Sequence, residues 1–164
     1  MKRGTIEIEL ADLEATNRLG QALGQALFPD AVVGLVGPLG AGKTHLVRAI
    51  AEGLDIPNSR VVSSPTFVLI QEYDARLPIY HFDAYRLGSE REFLDLGISE
   101  YFSGAGVCLV EWADRVASAL PAERLMIDMQ VTGATSRTAR LEASGARYVK
   151  LLALPQAPSV SHPC

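Results

Sequence analysis

Val32-Val33-Gly34-Leu35-Val36-Gly37-Pro38-Leu39-Gly40-Ala41-Gly42-Lys43-Thr44 passes from an apolar run through a glycine-rich loop to a lysine and a threonine. Val32 to Val36 is continuously apolar, without the alternation of a half-buried strand, as expected of a strand covered on both faces in a parallel sheet. Gly37 to Thr44 then matches GxxxxGK[ST]. Glycines at those positions let the backbone curl so that successive N–H groups point inward, where they can cradle phosphates. From Lys43 onward, Leu46, Val47, Ile50, Ala51 and Leu54 recur at helical spacing, and Pro57 with Asn58 closes the helix. By average residue usage the loop pattern arises by chance on the order of once in a few hundred chains of this length, and the flanking strand and helix make accident rarer still.

The same geometry assigns roles within the loop. Lys43 should reach the β and γ phosphates of a nucleotide, and the Thr44 hydroxyl should ligate magnesium. The helix N-terminus adds positive potential. Such a site needs a carboxylate on a neighbouring strand, and the buried run Val107-Cys108-Leu109-Val110 ends in Glu111, followed by Trp112. An aspartate is commoner at that position; the alternative for Glu111 is a strand-end carboxylate facing water. Asp83, in His81-Phe82-Asp83-Ala84-Tyr85-Arg86, is the second candidate, either holding magnesium through water or orienting the attacking water. It reads equally as a solvated turn residue or an ion-pair partner of Arg86. His81 reads as a strand residue at the core edge, since one histidine defines no metal site, and His45 as packing just inside the helix. Thr66, in Ser63-Ser64-Pro65-Thr66-Phe67, stands where nucleotide switches place a γ-phosphate-sensing hydroxyl, or in a plain loop leading to a strand. No Asn-Lys-x-Asp stretch reads guanine, so ATP is favoured over GTP.

Outside these blocks, Thr5 to Leu10 alternates as a half-buried strand, and Asp12 stands at the N-cap of a helix reaching Leu27. Phe67 to Tyr73 and Pro78 to Phe82 read as two strands, and Ser89 caps an acidic helix ending near Gly97. Leu125 to Val131 and Thr138 to Ala143 form a hairpin around Gly133, and Ala146 to Leu154 a last helix. The expected fold is therefore α/β: a P-loop NTPase-type three-layer fold with a mostly parallel central sheet and an antiparallel C-terminal hairpin. Residues 1–154 are expected to form a single domain, with a disordered Pro- and Ser-rich tail over 155–164.

Composition narrows the function classes. Hydrophobic residues make up 48% of the 164-residue chain and charged residues 21%, a globular balance. A net charge of -4 disfavours unassisted binding to a phosphate backbone. Two cysteines, Cys108 and Cys164, make neither a disulfide framework nor a zinc spacing, which fits a reducing cytoplasm. No apolar stretch of signal-peptide or membrane-spanning length occurs, so a cytoplasmic protein without a membrane partner is expected.

Four blocks in this order, GPLGAGKT from Gly37, SSPTF from Ser63, HFDAYR from His81 and LVEW from Leu109, resemble the bacterial TsaE family, also called YjeE. The resemblance runs from about Thr5 to Arg140. It implies an ATPase of tRNA threonylcarbamoyladenosine formation, weakly active alone, that works beside TsaB and TsaD and meets tRNA only indirectly. Thr44 and Glu111 become the magnesium-associated pair and Asp83 a catalytic or metal-shell carboxylate, which leaves open which acid touches the metal. The catalytic set is then Lys43, Asp83 and Glu111. The ATP/ADP-binding set comprises Asp12, Gly37, Leu39, Gly40, Ala41, Gly42, Lys43, Thr44, His45, Thr66, Trp112 and Arg137. Within it, Asp12 and Arg137 would lie toward the adenosine end, although a helix cap suffices for Asp12 and an exposed strand position for Arg137. Pro38 replaces an acidic residue common in the family and removes one loop N–H; His45 replaces a small hydroxyl residue. A small-molecule kinase and a non-hydrolysing nucleotide-dependent adaptor are the competing readings.

Overall fold

The computed structural model describes residues 1–63 and 69–154. Among the described residues, seven strands form one sheet in the order β1-β7-β6-β2-β5-β4-β3. They are β1 (Arg3–Leu10), β2 (Val32–Val36), β3 (Ile70–Tyr73), β4 (Ile79–Asp83), β5 (Val107–Glu111), β6 (Arg124–Val131) and β7 (Arg137–Ser144). The four central strands β6, β2, β5 and β4 run parallel. The hairpin strand β7 pairs antiparallel with β6, and β1 and β3 close the two edges in antiparallel register. The parallel interior and the C-terminal hairpin agree with the fold class expected from the sequence.

Helix α1 (Leu13–Ala26) begins at Asp12, whose Oδ1 accepts the Ala15 N–H at 2.9 Å, the N-cap bond expected of an aspartate there. Helix α2 (Lys43–Gly53) starts inside the glycine loop. It ends at Gly53, before Pro57, because the chain turns through Leu54 and the left-handed Asp55. The two helices lie side by side on one sheet face. Leu19, Leu23, Leu46 and Ile50 are buried there against Val33, Leu35 and Leu109. Their approach is close enough that a Cβ at Gly24 would stand 2.8 Å from the Gly53 Cα.

The opposite face of β4, β5 and β2 is covered by α3 (Glu90–Leu94), α4 (Ile98–Phe102) and a 3₁₀ segment over Ala113–Ala119. Phe82, Phe93, Val110 and Val116 form that second core, which completes three layers. Ser89 caps α3 as expected, but Gly97, in the left-handed region at φ 75°, divides the expected acidic helix in two. The C-terminal helix is likewise short: α5 (Ala146–Val149) tightens into a 3₁₀ turn over Lys150–Ala153. Tyr148 on α5 reaches back across the fold, its hydroxyl accepting the Val32 N–H at 2.9 Å. The expected tail, 155–164, and the expected strand residues Phe67 and Val68 lie outside the described residues.

Candidate functional site

Parallel pairing brings the carboxyl ends of β2, β5 and β4 together on one rim, the usual location of a ligand site in such sheets. The glycine loop leaves β2 there. Gly37 sits at φ 146°, and a Cβ on it would run into the Met129 carbonyl oxygen, so glycine is required by both conformation and space. Gly40 and Gly42 also have positive φ. Leu39 projects outward and is 85% exposed, whereas Ala41 is buried beneath the loop.

Lys43 opens α2 and is buried to 5% exposure. Its Nζ donates to the carbonyls of Gly37 at 2.6 Å and Pro38 at 2.9 Å, and lies 3.9 Å from the centroid of the Trp112 ring. Burial lowers its pKa; Glu111, Asp114 and Asp83, in that order, pull it back up. An ammonium with two loop carbonyls and one aromatic face is a compact cation aimed into the loop.

Thr44 donates its hydroxyl to Glu111, with Oγ1 at 2.9 Å from Oε1 and 3.1 Å from Oε2. Glu111 is buried, not facing water, and its Oε2 is 2.6 Å from His81 Nε2. Asp83 is the register partner of Glu111 across β4 and β5 and is 7% exposed. Its Oδ1 accepts the Tyr85 N–H at 2.8 Å, which turns the chain at the strand end. Both acids therefore stand beside Thr44's helix at the same rim. Trp112 follows Glu111 at φ 59°, a left-handed conformation that a non-glycine residue adopts at a cost of about 1–2 kcal/mol. The twist swings its ring under Lys43 and against Tyr85, with centroids 4.7 Å apart.

Arg137 begins β7 in register with Leu10, so Arg137 and Asp12 share one end of the β1–β7 pair. Its guanidinium is built into the loop. Nε donates to the Ala41 carbonyl at 3.1 Å, Nη2 to Gly40 at 3.3 Å and Nη1 to Ser136 at 2.8 Å. His45 lies on α2's first turn and is half-buried, its Nε2 2.8 Å from Asn17 Oδ1 on α1. Burial lowers its pKa, and Arg48 lowers it further. Thr66 lies outside the described residues.

Sequence reasoning missed one participant, His81, and the loop contact of another, Arg137. His81 reads from the sequence as a strand residue at the core edge, yet its two-residue spacing to Asp83 puts both on one strand face. Arg137's tie to Gly40 and Ala41 had no local signal, because 96 residues separate Arg137 from Ala41. The donor set fits a magnesium nucleotide: one hydroxyl and two carboxylates are hard oxygen ligands, and Lys43 with the loop amides suits phosphate. Among the described residues no three His, Cys, Asp or Glu side chains form a metal-binding group of their own. A magnesium ion here would take its remaining ligands from phosphate and water.

The family model for the threonylcarbamoyl adenosine biosynthesis protein TsaE matches residues 10–139. The tRNA threonylcarbamoyladenosine biosynthesis protein TsaE of Bacillus subtilis is 46% identical over 139 residues, covering 84% of this chain and 85% of that protein. The protein of the same name from Treponema pallidum is 45% identical over 116 residues, 71% of this chain and 84% of its own length. Among solved structures, YdiB of Bacillus subtilis superposes with a TM-score of 0.78 at 34% identity, covering 97% of this chain and 99% of that one.

Proposed function

Since the chain belongs to the TsaE family, we propose that it acts in tRNA threonylcarbamoyladenosine biosynthesis as an ATP-binding, weakly hydrolysing protein that assists TsaB and TsaD. The observation that carries this reading is the linkage of Lys43, Thr44 and Glu111. A P-loop lysine aims into its own loop, and the adjacent threonine is bonded to a buried acid at the end of the neighbouring strand.

ATP would place its phosphates on the loop amides and Lys43, whose charge offsets theirs. Thr44, with Glu111 and Asp83, would hold magnesium, which neutralises charge on the phosphate oxygens when bound. Glu111 and Asp83 accept protons or hydrogen bonds only, so either can orient a water; Lys43 stabilises the charge that develops. Arg137 is occupied with the Gly40 and Ala41 carbonyls, so its charge serves the shape of the loop. Slow turnover by the isolated chain follows if a partner supplies further positive charge, since an arginine delivered in trans is worth orders of magnitude in rate. A net charge of -4 supports action through protein partners, with tRNA met indirectly. No helix among the described residues is long and apolar enough to cross a membrane.

The test is phosphate release from ATP by the purified chain, alone and with TsaB, TsaD and tRNA, for wild type, Lys43→Ala and Glu111→Ala. Slow release that rises with partners and disappears in both variants supports the reading. ATP binding without phosphate release under any condition would replace it with the adaptor.

A further inference from the structure

We propose that His81 is a positioning residue for Glu111, fixing the carboxylate that orients Thr44 for magnesium; the inference rests on the nucleotide reading above. His81 is completely buried on the α2 face of β4, between Ile79 and Asp83 along the strand. Packing alone would favour an apolar side chain there, as at Ile79. Burying an imidazole is unfavourable unless its polar atoms are bonded. Only one of them is: Nε2 meets Glu111 Oε2 at 2.6 Å, while Nδ1 has no partner among the described residues. Its ring also lies 6.3 Å from that of Tyr73, a contact an apolar ring would make as well, so the hydrogen bond to Glu111 is what the imidazole nitrogens contribute.

Glu111 needs such a contact. Thr44 Oγ1 stands at 2.9 and 3.1 Å from the two carboxylate oxygens, nearly equal distances that do not select one of them. His81 breaks that symmetry. A carboxylate only accepts, so Nε2 carries the hydrogen and donates to Oε2. With Oε2 tied across the strand pair, Oε1 is left as the nearer acceptor for Thr44. The Thr44 proton is then directed at Glu111, and the lone pairs of its hydroxyl are left for the cation. His81 thus stands to Glu111 as an outer partner that orients a metal-site acid, a class whose loss typically weakens metal binding about 10- to 100-fold.

The experiment compares wild type, His81→Leu and His81→Gln by calorimetric titration of ADP, once in EDTA and once across a magnesium series. For His81→Leu the magnesium concentration giving half the effect should rise about 10- to 100-fold, with affinity in EDTA unchanged. His81→Gln, whose amide N–H can reach the same oxygen, should recover most of the response. A second readout needs no ligand: long-range ¹H–¹⁵N spectra of the free protein should show a hydrogen on His81 Nε2. An unchanged magnesium midpoint in His81→Leu, an equal loss of affinity in EDTA, or hydrogen on Nδ1 alone would each overturn the proposal. A wild-type chain that binds no ADP would instead remove the nucleotide reading on which it rests.

Discussion

Replacing Gly24 by alanine sets helix propensity against helix packing, and the structure decides which wins. In an exposed helix interior the change would stabilise by about 1 kcal/mol, because alanine loses less backbone entropy. Gly24, however, is buried where α1 crosses α2. The added Cβ would stand 2.8 Å from the Gly53 Cα and 2.9 Å from its carbonyl carbon, and closer still to the Ile50 carbonyl oxygen. Ordinary carbon contacts lie near 3.5–4.0 Å, so the helices must part by about 1 Å. Every colliding atom is backbone and cannot rotate away. Overpacking of this kind costs about 1–3 kcal/mol, and the upper end applies, leaving a net loss of about 2 kcal/mol. For a chain of this size that is a fall of about 4–8 °C in melting temperature. Calorimetric melting of Gly24→Ala should show it, beside Gln25→Ala on the exposed side of the same helix, which should stay within about 0.5 kcal/mol of wild type. Because α2 begins with Lys43 and Thr44, ADP binding should weaken in Gly24→Ala as well. A melting temperature equal to or above wild type would mean that the two helices accept the extra methyl without parting.

Three further outcomes are expected. Tyr148→Phe leaves the buried Val32 N–H without its acceptor and should cost about 1–3 kcal/mol, checked by denaturant unfolding and by faster exchange of the Val32 amide. Arg137→Ala removes the guanidinium bonded to the Gly40 and Ala41 carbonyls, so ADP affinity should fall by about tenfold or more while the melting temperature changes little; an unchanged affinity would show that the loop keeps its shape unaided. Cys108 is buried among apolar side chains, and burial pushes its thiol from 9.0 up to about 12. Because the folded pKa lies above the unfolded one, the folded state holds this proton more tightly. That contribution to stability is complete below about pH 9 and is lost toward pH 12, at no more than about 1.4 kcal/mol per pH unit. In a Cys164→Ser background, iodoacetamide at pH 8 should leave Cys108 unmodified until the protein unfolds.

Local sequence determined a great deal here. The apolar run Val32 to Val36, the glycine spacing to Gly42 and the Lys43-Thr44 pair specify strand, loop and helix within a few residues, because φ/ψ freedom, backbone amides and helical periodicity all act at short range. Asp12 and Ser89 as caps, and the β6–β7 hairpin, were legible for the same reason. Helix ends were less so: Gly97 splitting α3 from α4 and the 3₁₀ tightening after Val149 depend on what those segments pack against. Strand order was beyond local reading. That β6 and β5 flank β2, and that β1 closes the hairpin side, follows from burying two faces of one sheet at once. Only that arrangement sets Glu111 against Thr44 across 67 residues, His81 against Glu111 across 30, and Arg137 against Ala41 across 96. The residue types that can bind a nucleotide were written along the chain; which acid is buried, which histidine holds it and which arginine braces the loop are properties of strands brought into register, and register is settled by the whole core.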